Sequence, residues 1–290
     1  VGLNAKVAQY YQKNKQPLLA ADYWLSAGEP DKAFAIYKTN INADIAAKAI
    51  ETALGANNPI QAYAWWKTYG DQANIKRTLY LANLAGNTED AAQAIESLLK
   101  TDPNNSEYLT QAMHLRLANA NAKGAEQLLA KLLLQSPDDK ELHLLNWKIK
   151  RWQNKPKEAL REFKWLMSNK AVTPAMLTDS INDATALYLY QDANDIYEYK
   201  AQNRNLKGNG FANWMQANEF IGNTKQELNN IERFEQINGK SALSQYWKAK
   251  VLHDTGNLKA LRALWPTYKG PKNEEDLLWI ARAFWLEDDF

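Results

Sequence analysis

Eight times along the chain a small or apolar residue stands four places before a bulky one: Ala33/Tyr37, Ala62/Trp66, Ala91/Ile95, Ala125/Leu129, Ala159/Phe163, Ala193/Tyr197, Glu227/Ile231 and Leu261/Trp265. The first two steps are 29 residues and the next five are 34. A fixed period of that length constrains the fold strongly. Each period is one helical hairpin that cannot bury its apolar face alone, and stacking on the next hairpin buries it. The chain is therefore expected to be all-α, with about eight hairpins in a row. Glu227 departs from the series in character while keeping its phase.

The stretch from Ser106 to Asp139 shows how one period is built. Leu109, Ala112, Met113 and Leu117 recur at helical spacing, a break falls at 119–121, and Ala125, Leu128, Leu129 and Leu132 mark a second helix. Pro137 ends that helix and Pro103 ends its counterpart one period earlier, because proline has no amide donor and restricts the residue before it. The alanine of each rung lies early in the second helix, where the two helices approach closely; the bulky partner one turn on fills the gap to the neighbouring repeat. Five residues before the rungs stand Gly28, Asn57, Gly86, Asn154, Gly222 and Gly256, residues that tolerate the left-handed conformation ending a helix. Ala120 and Tyr188 break that rule, and Asn119 and Asn121 suggest a turn shifted by one residue at the first of them.

These features resemble the tetratricopeptide repeat. The segment from Ala82 through Gly86 to Ala91, followed by Pro103, is a close instance, and so is Trp152 through Asn154 and Pro156 to Leu160. The resemblance runs from residue 14 to about 270 and implies a right-handed α-solenoid. The family's small residue in the first helix is replaced by Leu79, Met113, Trp147, Ile181 and Met215, so first helices are expected to sit farther from their neighbours. The whole of 1–290 reads as one such solenoid: shortened hairpins over 1–71, 34-residue repeats over 72–270 and a terminal helix over 271–290. Leu3–Asn14 and Asn273–Leu286 read as unpaired helices at the two ends. The second carries Leu277, Leu278 and Ile280, and the chain ends on Trp279, Phe284, Trp285 and Phe290 instead of a polar cap. An array continuing in a longer protein is the expectation. Without an alanine at Glu227 and Leu261, packing is expected to loosen toward that end.

Composition narrows the function. The formal net charge of +2 does not suit a nucleic-acid-binding domain, and with no cysteine there is neither disulfide nor thiol nucleophile. His114, His143 and His253 are scattered over first helices and read as ordinary polar surface residues. No GxSxG, P-loop, HExxH or GxGxxG occurs, Gly208-Asn209-Gly210 reads as a loop opening a helix, and Asp192–Asp195 lacks the spacing of a calcium loop. Neither an enzyme nor a cofactor or metal site is expected. The basic run from Lys148 to Lys164 is interrupted by Glu158 and Glu162, as on a solvated face with local ion pairs.

The resemblance places the working surface on a concave groove lined by first helices. In the 34-residue phase Arg77, Tyr80, His114, Lys148, Arg151, Trp152, Asp179, Asn182, Asn213, Gln216, Tyr246, Trp247 and Lys250 fall on it. Side-chain amides can pair with an extended backbone and Arg can fork onto carboxylates. The expected function is a non-enzymatic scaffold that docks a partner protein in this groove. A direct binder of an anionic or sugar polymer, polysaccharide or nucleic acid, is the alternative, with nucleic acid disfavoured by the charge. The 152–161 run is similar in style to repeats of bacterial envelope scaffolds, including Pel-type exopolysaccharide export proteins. That similarity, with the absence of cysteine, favours the periplasm over the cytoplasm. No apolar run is long enough to span a membrane.

Overall fold

The computed structural model describes residues 2–203, 206 and 209–285. Every regular element among them is helical. The chain divides into two compact units, 1–142 and 143–290.

In the first unit, α1 (Gly2–Lys13) precedes four hairpins. They are α2 (Pro17–Ser26) with α3 (Pro30–Asn40), α4 (Ala46–Gly55) with α5 (Pro59–Tyr69), α6 (Ile75–Leu84) with α7 (Thr88–Thr101), and α8 (Ser106–Ala118) with α9 (Ala122–Gln135). The second unit begins in the first turn of α10 (Lys140–Trp152), which pairs with α11 (Pro156–Ser168). Then come α12 (Pro174–Ala186) with α13 (Tyr190–Gln202), α14 (Gly210–Ile221) with α15 (Thr224–Asn238), and α16 (Ala242–Asp254) with α17 (Leu258–Leu264). Helix α18 (Glu274–Trp285) closes the described chain. This is an α-solenoid of helical hairpins; the expected unpaired end helices are both packed, α1 on α2 through a turn of the hairpin type and α18 on α16 and α17. Gly208, Leu286 and Phe290 lie outside the described residues, as do the side chains of Leu277 and Ile280.

The rungs are the core. Ala33, Ala62, Ala91, Ala125, Ala159 and Ala193 are all fully buried, and so are Tyr37, Ile95, Leu129, Phe163 and Ile231 among their bulky partners. Glu227 and Leu261 are as buried as the alanines they replace, at 2% and 1% exposure. The expected loosening shows in the helices and not in these side chains: α14 with α15 and α16 with α17 meet over fewer residues than the hairpins of the first unit.

The turns inside the hairpins obey one rule. Gly28, Asn57, Gly86, Ala120, Asn154, Tyr188, Gly222 and Gly256 all take positive φ, between 51° and 76°. The expected one-residue shift at Ala120 does not occur. Ala120 donates to Leu117 and Asn121 to Arg116, the same closing pair that Gly86 and Asn87 make with Asn83 and Ala82. The backbone bonds that end the helix hold Ala120 in a conformation its side chain disfavours. The next residue starts the second helix in one of two ways. Asn87, Asn121, Asn223 and Asn257 accept the amide of the residue three places on, whereas Glu29, Asn58 and Lys155 precede a proline at the first helical position. Only α13, capped by Leu189, has neither device among these second helices.

Candidate functional site

Three clefts open between consecutive first helices, and they are the same place in three repeats. One, of about 420 Å³, lies between α6 and α8 and is lined by Leu79, Tyr80, Asn83, Leu84 and Gln111 among others. In the second unit a cleft of about 670 Å³ between α10 and α12 is lined by Trp147, Lys148, Arg151, Trp152 and Asp179. The next, of about 420 Å³ between α12 and α14, is lined by Ile181, Asn182, Thr185, Ala186 and Asn213. Those sets coincide in the 34-residue phase: Leu79, Trp147 and Ile181 share one repeat position, as do Tyr80, Lys148 and Asn182. Leu79, Trp147 and Ile181, the bulky residues that replace a small one, are buried and line the clefts between first helices.

One scaffold thus presents three chemistries. The cleft between α12 and α14 has no charged lining residue. Its amides are Asn182, Asn213 and Gln216, and one wall is Tyr190 stacked on Phe220 at 4.4 Å, with Phe220 60% exposed. Burial pushes the Tyr197 phenol above its ordinary value, opposed by its hydrogen bond with Asn213. The cleft between α10 and α12 is charged but largely self-neutralised. Arg151 donates to Asp179 at 2.6 Å, lies 2.9 Å from Asp183, and covers the Trp147 ring at 5.2 Å. Lys148 is exposed there without an ion-pair partner, beside Trp152 at 66% exposure. The cleft of the first unit carries Lys76 and Glu107 with two tyrosines, Tyr80 and Tyr108.

The cations expected to greet a partner turn out mostly to brace the scaffold. Arg77 on α6 pairs with Glu51 on α4 and covers Tyr80, Arg151 joins α10 to α12, and Lys250 on α16 is held by Glu219 on α14 and by Asp254. His114 is exposed and lines none of the three clefts. Tyr246 packs edge-on to Trp247 at 5.8 Å and against Trp279 of α18 at 5.7 Å, so both rings are committed within the second unit. The structure therefore brings Lys148, Arg151 and Trp152 together in one cleft and Asn182, Asn213 and Gln216 in the next. Arg77, His114 and the α16 group stand apart. Sequence reasoning missed Asn83, Leu84, Gln111, Thr185, Tyr190 and Phe220, most of which the repeat phase could have supplied: Asn83 and Thr185 share the phase of Arg151, Leu84 and Phe220 that of Trp152, and Gln111 that of Asp179.

The histidines are less plain than expected. His143 bonds Glu162 at 2.7 Å and stacks on Trp165 at 3.6 Å, while His253 bonds Asp254 at 3.0 Å and stacks on Trp279 at 5.5 Å. Only His114 is the exposed polar residue foreseen. The basic run is braced in the same way, with Lys150 paired to Glu158 and Lys164 to Asp192. Among the described residues no group of three His, Cys, Asp or Glu could hold a metal, and no helix is long and apolar enough to cross a membrane.

Residues 82–146, from the end of α6 into α10, match the tetratricopeptide repeat family. Over that stretch the chain carries tetratricopeptide repeats. Among solved structures, the Naa15/Naa10 assembly bound to HypK-THB is similar at 14% identity and a TM-score of 0.55, over 96% of this chain and 47% of that one. That likeness is one of fold. A tetratricopeptide repeat protein from Parabacteroides merdae aligns at 11% identity and a TM-score of 0.35, over 94% of this chain and 99% of its own. MamA aligns at 15% identity and a TM-score of 0.39, over 61% and 93%. At those scores neither bears on the shape of these repeats. No curated protein matches the chain. These comparisons bring no support for the Pel-type similarity of the 152–161 run. Tetratricopeptide repeats act as protein-interaction scaffolds, which is the coarse function the fold supports.

Proposed function

We propose that this repeat protein is a non-catalytic scaffold that docks an extended segment of a partner protein in the clefts between its first helices. In the second unit, Trp152 and Phe220 are the exposed apolar anchors and Lys148 the charged contact. Asn182, Asn213 and Gln216 pair with the partner's backbone. One observation carries the reading: within the second unit a single set of repeat positions lines two successive clefts, one charged and one rich in amides, as a surface reading successive parts of an extended ligand requires. A narrower form places the scaffold in bacterial exopolysaccharide export with a periplasmic partner. It rests on the 152–161 run and the absence of cysteine alone.

The test uses peptides selected by display on the purified chain, with affinity read by fluorescence anisotropy. Trp152→Ala, and Asn182→Ala with Asn213→Ala, should each weaken the selected peptides by about tenfold or more, as for interface anchors. Peptides indifferent to both variants would overturn the reading. Lys148 beside an exposed Trp favours the second reading, a bound polysaccharide or nucleic acid. Binding of an acidic polymer that falls steeply with salt, alongside no peptide binding, would select it.

A further inference from the structure

Glu227 occupies the rung position that six other repeats give to alanine, and it is 2% exposed. Its Oε1 has no hydrogen-bond partner. A buried ionised carboxylate needs a cation or several donors, and no donor bonds Oε1 of Glu227 among the described residues. Trp214 donates to Asn194 at 2.8 Å, and Asn230 donates to Asn194 and Asn218 at 3.2 Å each, while Asn194 Nδ2 in the same web is, like Glu227 Oε1, left without a partner. The charged groups acting on Glu227 come from both neighbouring first helices. Helix α14 supplies Glu219, and α16 supplies Lys250 and Asp254, the latter also bonded by His253. Between α13 and α15 the ion pair is Glu198 with Arg233, six residues farther along α15.

Lys250 is the one cation of that group, and it is shared by Glu219 and Asp254. An ionised Glu227 therefore has two courses. It can remain unpaired in the core, or it can draw Lys250 away and so break the strut between α14 and α16. A protonated Glu227 does neither. We propose that the junction of α14, α15 and α16 is a proton-dependent latch, closed while Glu227 carries its proton and loosened when the proton leaves. Burial first, and Glu219 second, hold this carboxyl up at about 7 against the opposing pull of Lys250, which puts the switch near neutrality. Helix α16, with Tyr246, Trp247 and Lys250, is the element released.

The experiment is hydrogen exchange on the full chain between about pH 5.5 and 8.5, expressed as protection factors so that intrinsic exchange chemistry cancels. In the wild type, opening of α15 and α16 should rise by about tenfold or more across that range, while α12 and α13 stay level. Glu227→Ala restores the residue of the other rungs and Glu227→Gln keeps the size without the charge; both should give flat profiles. A flat wild-type profile would overturn the latch whatever the variants do, and so would a pH slope that survives in either variant.

Discussion

Arg151 on α10 donates to Asp179 on α12 at 2.6 Å, and both line the cleft between those helices. The pair lies 28 residues apart in sequence, close to one repeat, and Asp183 one turn later adds a second carboxylate at 2.9 Å. Lys148, one turn earlier on α10, lines the same cleft with no such partner.

The two cations should therefore respond differently to charge reversal. Arg151→Glu puts a third carboxylate beside Asp179 and Asp183 and removes the cover over Trp147, so it should cost about 1–2 kcal/mol of stability. Lys148→Glu should change stability by less than about 0.5 kcal/mol, as exposed substitutions do. Urea melts of the two variants decide it. Equal costs would mean that the strut is not under load.

How far these features could be read beforehand depends on their range. The rungs are local, four residues apart within one helix, and they gave the hairpins and the buried face. Leu79, Trp147 and Ile181 mark one repeat position, and each lines a cleft between first helices. The ion pairs were not legible in the same way. Arg77 with Glu51, Arg151 with Asp179 and Lys250 with Glu219 join side chains 26, 28 and 31 residues apart, and which partner a long flexible cation reaches depends on rotamers and helix spacing. A scan for opposite charges at those offsets on successive first helices would have flagged them.

Ala120 and Tyr188 share a backbone conformation, φ 55° and 58°, that four other hairpin turns fill with glycine. An L side chain in that region costs about 1–2 kcal/mol, and glycine returns part of the gain through a more flexible unfolded chain. Ala120→Gly and Tyr188→Gly should each raise stability by about 0.5–1 kcal/mol. Tyr188 gives up only a ring that is 78% exposed and its edge contact with Tyr190. Calorimetric melts that fall in both variants would refute the assignment of strain.

Ala125 has no exposed surface and sits in the second helix of the fourth hairpin. An indole there must displace α8 from α9, with no void to receive it. Ala125→Trp should cost about 3 kcal/mol or more, the upper range for overpacking. An exposed position on the same helix offers the control, since Gln127→Trp should be nearly neutral. A tolerated tryptophan at 125 would put the rung out of phase.

Two carboxylates give the two units opposite responses to pH. In the first unit, Asp90 accepts from Tyr63 at 2.7 Å and from Lys67 and Asn87 at 2.9 Å each, and these bonds, Tyr63's foremost, hold its carboxyl below the ordinary value. The ionised form is the stabilised one, so this contribution is present above an unfolded-state value near 3.8 and is lost as pH falls through the lower folded value. In the second unit, Glu227 is raised by burial from 4.5 to about 7. The folded state holds the proton that the unfolded state has released, so stability is full below about 4.5 and declines as pH rises toward 7, by on the order of 3 kcal/mol. Urea midpoints followed by hydrogen exchange in α5–α7 and in α14–α16 should slope in opposite senses. Asp90→Asn should flatten only the acid side of the first, and Glu227→Gln only the neutral side of the second. Parallel slopes in the two units would show that net charge, and not these two side chains, governs the response.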